Sequence, residues 1–119
     1  MLKVRLYSFS ENDTIIINTI LESRLAVKIR EFNGVNGCIS IFDVDITNNG
    51  IRILIEYGIR YFPLGNYESF IITCPNCGNR IDDDMILRVY DENLLSGYNI
   101  YCDVAECGCQ MANVKYIGE

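Results

Sequence analysis

The sequence predicts an α+β protein that is mostly antiparallel β-sheet, with one helix near the N-terminus. The chain has 119 residues, half of them hydrophobic, which matches one domain or a small domain with an appendage. Eighteen Ile, twelve Asn and eight Tyr, against three Ala, favour strands over helices. Apolar and polar residues alternate over several short stretches that turn-forming residues separate.

One helix and four strands are predicted in the first half of the chain. Ser10-Glu11-Asn12-Asp13 is typical of a helix start, and apolar residues at helical spacing follow it as far as Leu25. Alternation predicts strands at residues 2–7, 25–30, 39–46 and 51–57. Phe42 interrupts the third of these and indicates a bulge. Thr47-Asn48-Asn49-Gly50 predicts a β-hairpin before the fourth, because Asn and Gly tolerate positive φ.

The second half is predicted to be a cysteine-bearing module that continues directly from the first. A short strand at 70–72 runs into Cys74, so no flexible linker separates the two parts. Further strands are predicted at 85–90 and 98–102, joined by a turn at 91–97, with a final strand or short helix at 111–117. We therefore predict two domains, a β-rich α+β domain at 1–67 and the module at 68–119.

Five of the six cysteines lie in this module and have the spacing of metal ligands. The two groups are Cys74-Pro75-Asn76-Cys77-Gly78 and Cys102-Asp103-Val104-Ala105-Glu106-Cys107-Gly108-Cys109. A Cys-x-x-Cys pair in a tight turn aims both sulfur atoms at one point, and the following Gly lets the backbone turn back. A hairpin between the groups brings them together, as in a zinc ribbon. The sequence thus predicts one structural Zn²⁺ bound by Cys74, Cys77, Cys102 and Cys107.

Other states of the cysteines stay open. Cys109 is the alternative fourth ligand, since a Cys-x-Cys pair also binds metal. Cys38 precedes an apolar strand and is expected to be a buried hydrophobic residue. A thioredoxin-like redox pair would need a helix that begins at Cys74, and the residues that follow the motif are poor helix formers. Disulfides would need an oxidising compartment. A catalytic zinc site would need an open position for water, and four thiolate ligands would leave none.

Composition argues against catalysis, and we expect no enzyme. The chain has no histidine, which removes His-based acid–base chemistry, His-dependent triads and mixed Cys/His metal sites. No apolar run reaches the ~18–20 residues that span a bilayer, and the first residues contain no signal-peptide core. We expect a cytoplasmic protein with no membrane partner, located in the host cytoplasm or the virion if it is viral.

The net charge of -6 arises entirely in the second module. Residues 1–67 carry seven basic and seven acidic residues, whereas residues 68–119 carry three basic and nine acidic ones. Nucleic-acid affinity depends largely on Lys and Arg that neutralise phosphates, so we do not expect strong binding to DNA or RNA by this module alone. Its acidic character favours a protein partner with a basic surface.

The segment from Cys74 to about Ile117 resembles the Ogr/Delta-like zinc fingers of phage late-transcription activators. That family has a CPxC pair, a little over twenty residues and a CxxxxC pair, and these match Cys74/Cys77 and Cys102/Cys107. Arg88-Val89-Tyr90 and Tyr98 fall where the family often has an Arg, an aromatic residue and a Tyr. The resemblance covers the last third of the chain. It implies zinc and a regulatory role at a promoter, through DNA and the host RNA polymerase.

Three functions therefore stay open. The first is a zinc-binding protein of phage or mobile-element type that contacts nucleic-acid machinery, such as RNA polymerase or a nuclease, as a transcription regulator or inhibitor. The second is a structural subunit of a larger assembly, such as a virion component, because the strand edges of the first domain invite pairing and oligomers. The third is a transcription activator that binds DNA directly.

Overall fold

Two units make up the part of the chain that the structure describes. The computed structural model describes residues 1–34, 37–75, 78–81 and 112–118. The units are Met1–Asn66 and Tyr67–Gly118. Among these described residues, no helix combines the length and the apolar character needed to cross a bilayer.

The N-terminal unit is a four-stranded antiparallel sheet with two helices, which confirms the predicted α+β class. Its elements are β1 (Leu2–Ser8), α1 (Glu11–Glu22), β2 (Ala26–Asn33), β3 (Ser40–Ile46), α2 (Asn48–Glu56) and β4 (Arg60–Pro63). The strand order is β2-β3-β1-β4, and neighbouring strands are antiparallel. The arrangement is a pair of split β-α-β units, the topology called ferredoxin-like, which hosts many unrelated functions.

The core of this unit is built on the two central strands. β1 and β3 pair over their whole length, from Leu2 opposite Ile46 to Ser8 opposite Ser40. α1 contacts β1 and β2, and both helices bury apolar residues. The fully enclosed side chains include Val4, Leu6, Val44, Ile46, Ile17, Ile51 and Leu54. Burial of this aliphatic set is the main stabilising term for the unit.

α1 begins where the sequence predicts it, because two local side chains satisfy backbone N–H groups at its start. The Oγ of Ser10 accepts a hydrogen bond from the Asp13 N–H at 3.1 Å. The Asp13 carboxylate in turn accepts from the Phe9 N–H at 3.0 Å. This reciprocal capping depends only on neighbours in the sequence, and it outweighs the β-branched run that follows.

The predicted hairpin at residues 47–50 and strand at 51–57 are wrong, since this stretch forms α2. Thr47 is the N-cap of the helix, and its Oγ accepts from the Gly50 N–H at 3.1 Å. Residues three apart, Ile51 and Leu54, are buried, whereas Ile55 is 51% exposed. The period is therefore helical, and the alternating isoleucines that suggested a strand do not share one face. The fourth strand of the sheet is β4 instead.

The bulge predicted at Phe42 is also wrong. β3 is regular against β1, and the register shifts in β2, between Lys28 and Arg30. Phe42 interrupts the alternation because β3 is a central strand and both of its faces are buried from Ile41 to Val44. Near-continuous apolar runs are typical of strands that are buried on both faces.

The C-terminal unit, where described, contains a short 3₁₀ turn at Tyr67–Ser69 and two antiparallel strands. These are β5 (Phe70–Thr73) and β6 (Asn113–Tyr116), paired from Phe70 opposite Tyr116 to Thr73 opposite Asn113. The rings of Phe70 and Tyr116 have centroids 5.4 Å apart. Of the two alternatives predicted for 111–117, the strand is correct. The predicted strands at 85–90 and 98–102 and the turn at 91–97 lie outside the described residues.

Candidate metal centre

Cys74 is a buried residue directly after β5, at a point where the chain reverses direction. Its N–H donates to the carbonyl of Asn79 at 2.9 Å, and Thr73 forms an antiparallel bridge with Arg80. The Ile81 N–H then donates to the carbonyl of Ile72 at 2.9 Å. These bonds bring the chain back along β5, so a tight turn separates Cys74 from Asn79.

Gly78 closes this turn through a backbone hydrogen bond to Cys74. Its N–H donates to the carbonyl of Cys74 at 2.9 Å, and its φ is 75°. This left-handed conformation strains any side chain and costs glycine little. A Cβ at Gly78 would meet nothing within 4 Å, so the requirement is conformational. The prediction that a Gly after the Cys-x-x-Cys pair turns the backbone back is confirmed.

The chain that returns from the second cysteine group enters the sheet beside Cys74. β6 is antiparallel to β5, and Thr73 lies opposite Asn113. One step further along the same register, Cys74 is level with Ala112, and both residues are buried. Chain leaving β5 and chain entering β6 therefore meet at one end of this two-stranded sheet.

The described residues contain only one member of the predicted ligand set. Cys77, Cys102, Cys107 and the alternative Cys109 lie outside them. Within the ranges that the structure describes, no three His, Cys, Asp or Glu side chains form a group that could hold a metal ion. The zinc ribbon and its ligands stay predictions.

Cys38 is a buried thiol in the N-terminal unit, as predicted. Its Sγ donates to the carbonyls of Ser8 at 3.2 Å and Ser40 at 3.1 Å. Burial raises the pKa of the Cys38 thiol above its ordinary value, and the two backbone hydrogen bonds oppose this shift. A thiol of this kind is a poor nucleophile and a poor metal ligand, because both roles need the thiolate.

Sequence reasoning missed an ionic cluster that crosses three strands of the N-terminal unit. Asp43 of β3 accepts hydrogen bonds from the buried Arg5 of β1 at 2.7 and 3.0 Å. The same carboxylate accepts from Nε of Arg30 of β2 at 2.8 Å. Both guanidinium groups lie over the ring of Phe32, 5.3 and 5.4 Å from its centroid. The cluster joins the three strands and thereby stabilises their register.

A small apolar cleft of about 200 Å³ lies between α1 and α2. Ile16, Ile20, Leu25 and Ile53 supply most of its aliphatic wall. Its volume is close to that of one large side chain, which is below the usual range for ligand pockets.

Comparison of the chain with protein-family models, with curated proteins and with solved structures gives no match.

Proposed function

We propose that this chain is a small zinc-binding protein of phage or mobile-element type that regulates nucleic-acid machinery through protein–protein contact. The observation that carries the proposal is the turn after β5, which holds Cys74 at its first position and Gly78 at φ 75°. A Cys-x-x-Cys-Gly metal-binding turn needs such a reversal of the chain directly after its first Cys, and this supports the proposal.

Few residues separate the end of the second cysteine group from Ala112, which is level with this turn. Ala112, level with Cys74 in the register of β5 and β6, follows Cys109 by three residues and Cys107 by five. Such chain lengths span at most about 11 Å and about 18 Å. Either residue is therefore within reach of a site at Cys74.

The donor set fits zinc rather than a hard cation. Four thiolates are the usual ligands of a closed structural zinc site, and here they would come from Cys74, Cys77, Cys102 and Cys107. When bound, the ion crosslinks the two cysteine groups. The chain's own residues position the first ligand: Cys74 is buried at the end of β5, and the turn that Gly78 closes reverses the chain directly after it. A closed site leaves no position for a substrate, so we propose no enzymatic activity.

The charge of the cysteine-bearing half supports a protein partner over DNA. Residues 68–119 contain nine acidic residues and only Arg80, Arg88 and Lys115 as cations. An acidic surface repels phosphates and attracts basic protein channels, such as those of RNA polymerases and nucleases. The protein would act on such a machine as a regulator or as an inhibitor.

Affinity capture tests this role. Zinc-loaded full-length protein is immobilised, and proteins captured from a bacterial lysate are identified by mass spectrometry. We expect RNA polymerase or nuclease subunits, with recovery that falls as salt rises. A matched variant, Asp82→Asn with Asp83→Asn and Asp84→Asn, removes three of the nine acidic residues and is expected to recover less.

Binding to duplex DNA is measured in parallel by fluorescence anisotropy. We expect no binding of the unmodified protein at physiological salt. Any change in the triple Asn variant is expected to be toward stronger DNA binding, because that variant carries less negative charge. Capture of no nucleic-acid enzyme would contradict the proposal. Tight DNA binding by the unmodified protein would favour the direct transcription activator instead.

A further inference from the structure

β2 is a long and exposed sheet edge. It is the terminal strand of the order β2-β3-β1-β4, it has eight residues and it contains no proline. Its residues from Val27 to Glu31 are all exposed, including Val27 at 56% and Ile29 at 46%. The opposite edge, β4, has four residues and ends in Pro63, which blocks pairing. Only the β2 edge of this sheet offers a full template for another strand.

Two hydrogen bonds at the ends of β2 identify the backbone groups that face outward. The carbonyl of Leu25 accepts from the Thr47 N–H at 2.9 Å, and the Gly34 N–H donates to the carbonyl of Ile39 at 3.0 Å. Leu25 and Gly34 are therefore residues whose backbone groups point toward β3. Along an antiparallel ladder, residues that point toward one neighbour alternate with residues that point away from it. Alternation from Leu25 makes Ala26 and Lys28 point away from β3, and alternation back from Gly34 makes Asn33 and Glu31 do so. These four residues are the outward set of β2.

The bulge keeps this outward set regular. Ala26 and Lys28 lie opposite Ile46 and Val44 of β3, and Glu31 and Asn33 lie opposite Phe42 and Ser40. The four partners are every second residue of β3, so the outward groups repeat at the normal two-residue spacing although Ile29 is an extra residue. The bulge therefore leaves an edge of four evenly spaced donor and acceptor positions.

The charges on this edge are self-complementary. Lys28 and Glu31 lie on one face of the sheet, 3.0 Å apart, and both are about half exposed. In a two-fold antiparallel pair of β2 strands, the register that sets Lys28 opposite Glu31 of the second copy forms two opposite-charge pairs. Registers that set either residue opposite its own copy bring like charges together. The favoured register also sets the exposed Val27 opposite Phe32 of the second copy.

We infer that β2 pairs with β2 of a second copy of this chain, antiparallel across a two-fold axis, with Lys28 opposite Glu31. The pair joins two four-stranded sheets into one of eight strands. Main-chain hydrogen bonds from the four outward positions give the affinity, and the two charge pairs fix the register. Arg30 lies beside the axis, and its charge is held by Asp43 at 2.8 Å, which reduces its repulsion of the second copy.

A charge-exchange series tests this inference on the full-length protein. Sedimentation velocity over a range of concentrations gives the dimer dissociation constant. Lys28→Glu or Glu31→Lys alone changes two attractive pairs to repulsive ones, and each is expected to weaken the dimer by roughly thirtyfold. The double variant with both changes restores the opposite-charge pairs and is expected to recover the affinity. Lys115→Glu makes the same change of net charge as Lys28→Glu, but outside β2, and is expected to have no effect.

Thermal unfolding by far-UV circular dichroism shows that each variant is folded before it is compared. A wild-type protein that stays monomeric at the highest concentrations would overturn the inference. A dimer that the single variants leave intact would overturn it too, because another surface would then hold the two copies. Failure of the double variant to regain affinity would exclude the stated register.

Discussion

Replacement of Asp43 by Asn tests the ionic cluster that ties β1, β2 and β3 together. The Asp43 carboxylate accepts two hydrogen bonds from Arg5 and one from Arg30, all between 2.7 and 3.0 Å. Asp43→Asn keeps the size of the side chain and removes the negative charge. It also puts an amide N–H₂ where an oxygen accepted from Arg5 or Arg30. Removing one partner of a buried ion pair costs about 3–5 kcal/mol, and an amide oxygen that still accepts one bond makes about 3 kcal/mol our expectation.

The free energy of unfolding is measured by denaturant titration, followed by circular dichroism and tyrosine fluorescence, since the chain has no Trp. Asp45→Asn is the matched control. Asp45 is on the same strand, opposite the exposed Lys3, and it is less buried than Asp43, so loss of its charge is expected to cost less than about 1 kcal/mol. If Asp43→Asn destabilised the protein no more than Asp45→Asn, the cluster would not hold the strands.

A second variant separates charge from packing. Replacing Arg5 by Met together with Asp43→Leu removes both buried charges and keeps similar volume. Apolar replacement of a whole buried pair is often neutral, so this double variant is expected to unfold with a higher free energy than Asp43→Asn. A double variant that is less stable than Asp43→Asn would show that shape, and not charge balance, sets the effect.

Three further predictions concern packing, pH and the metal ligands. Gly50→Ala would put a Cβ 2.5 Å from a side-chain carbon of β3 and is expected to cost about 1–3 kcal/mol by denaturant titration, whereas Gly65→Ala meets nothing within 4 Å and is expected to be neutral. The pKa of Cys38 is raised by burial, so the protonated thiol contributes stability below the ordinary thiol pKa, and this is lost as pH rises through the raised value. Peptide mapping after iodoacetamide should show that native Cys38 reacts only at higher pH than an exposed thiol; equal rates would contradict this. Zinc content should fall in Cys107→Ser and persist in Cys109→Ser, and the reverse result would exchange their roles.

The sequence predicts those parts of the fold that depend on neighbouring residues. Ser10 and Asp13 cap α1 through bonds three and four residues long, and Gly78 turns the backbone at positive φ, so both features can be read locally. The mistaken strand at 51–57 shows the limit of alternation. Ile51, Ile53 and Ile55 satisfy a period of two, but the Thr47 cap and packing of Ile51 and Leu54 select a helix.

Strand register is the information that the sequence lacks. Arg5 and Asp43 are 38 residues apart, and nothing local indicates that β1 and β3 set them side by side. The outward set of β2 likewise depends on a bulge at Ile29, which appears only when Lys28 and Arg30 are matched to β3. An Asp in the middle of an apolar stretch was the one available sign of a buried ion pair.

Zinc stoichiometry of the full-length protein tests the central proposal most directly. Freshly purified, untagged protein is analysed for metal by mass spectrometry, with Cys74→Ser and Cys38→Ser as a matched pair of buried thiols. We expect about one zinc per chain in the wild type and in Cys38→Ser, and a loss of metal in Cys74→Ser, because only Cys74 lies in the turn that Gly78 closes. A wild-type protein without zinc, or a Cys74→Ser variant that retains it, would contradict the proposal.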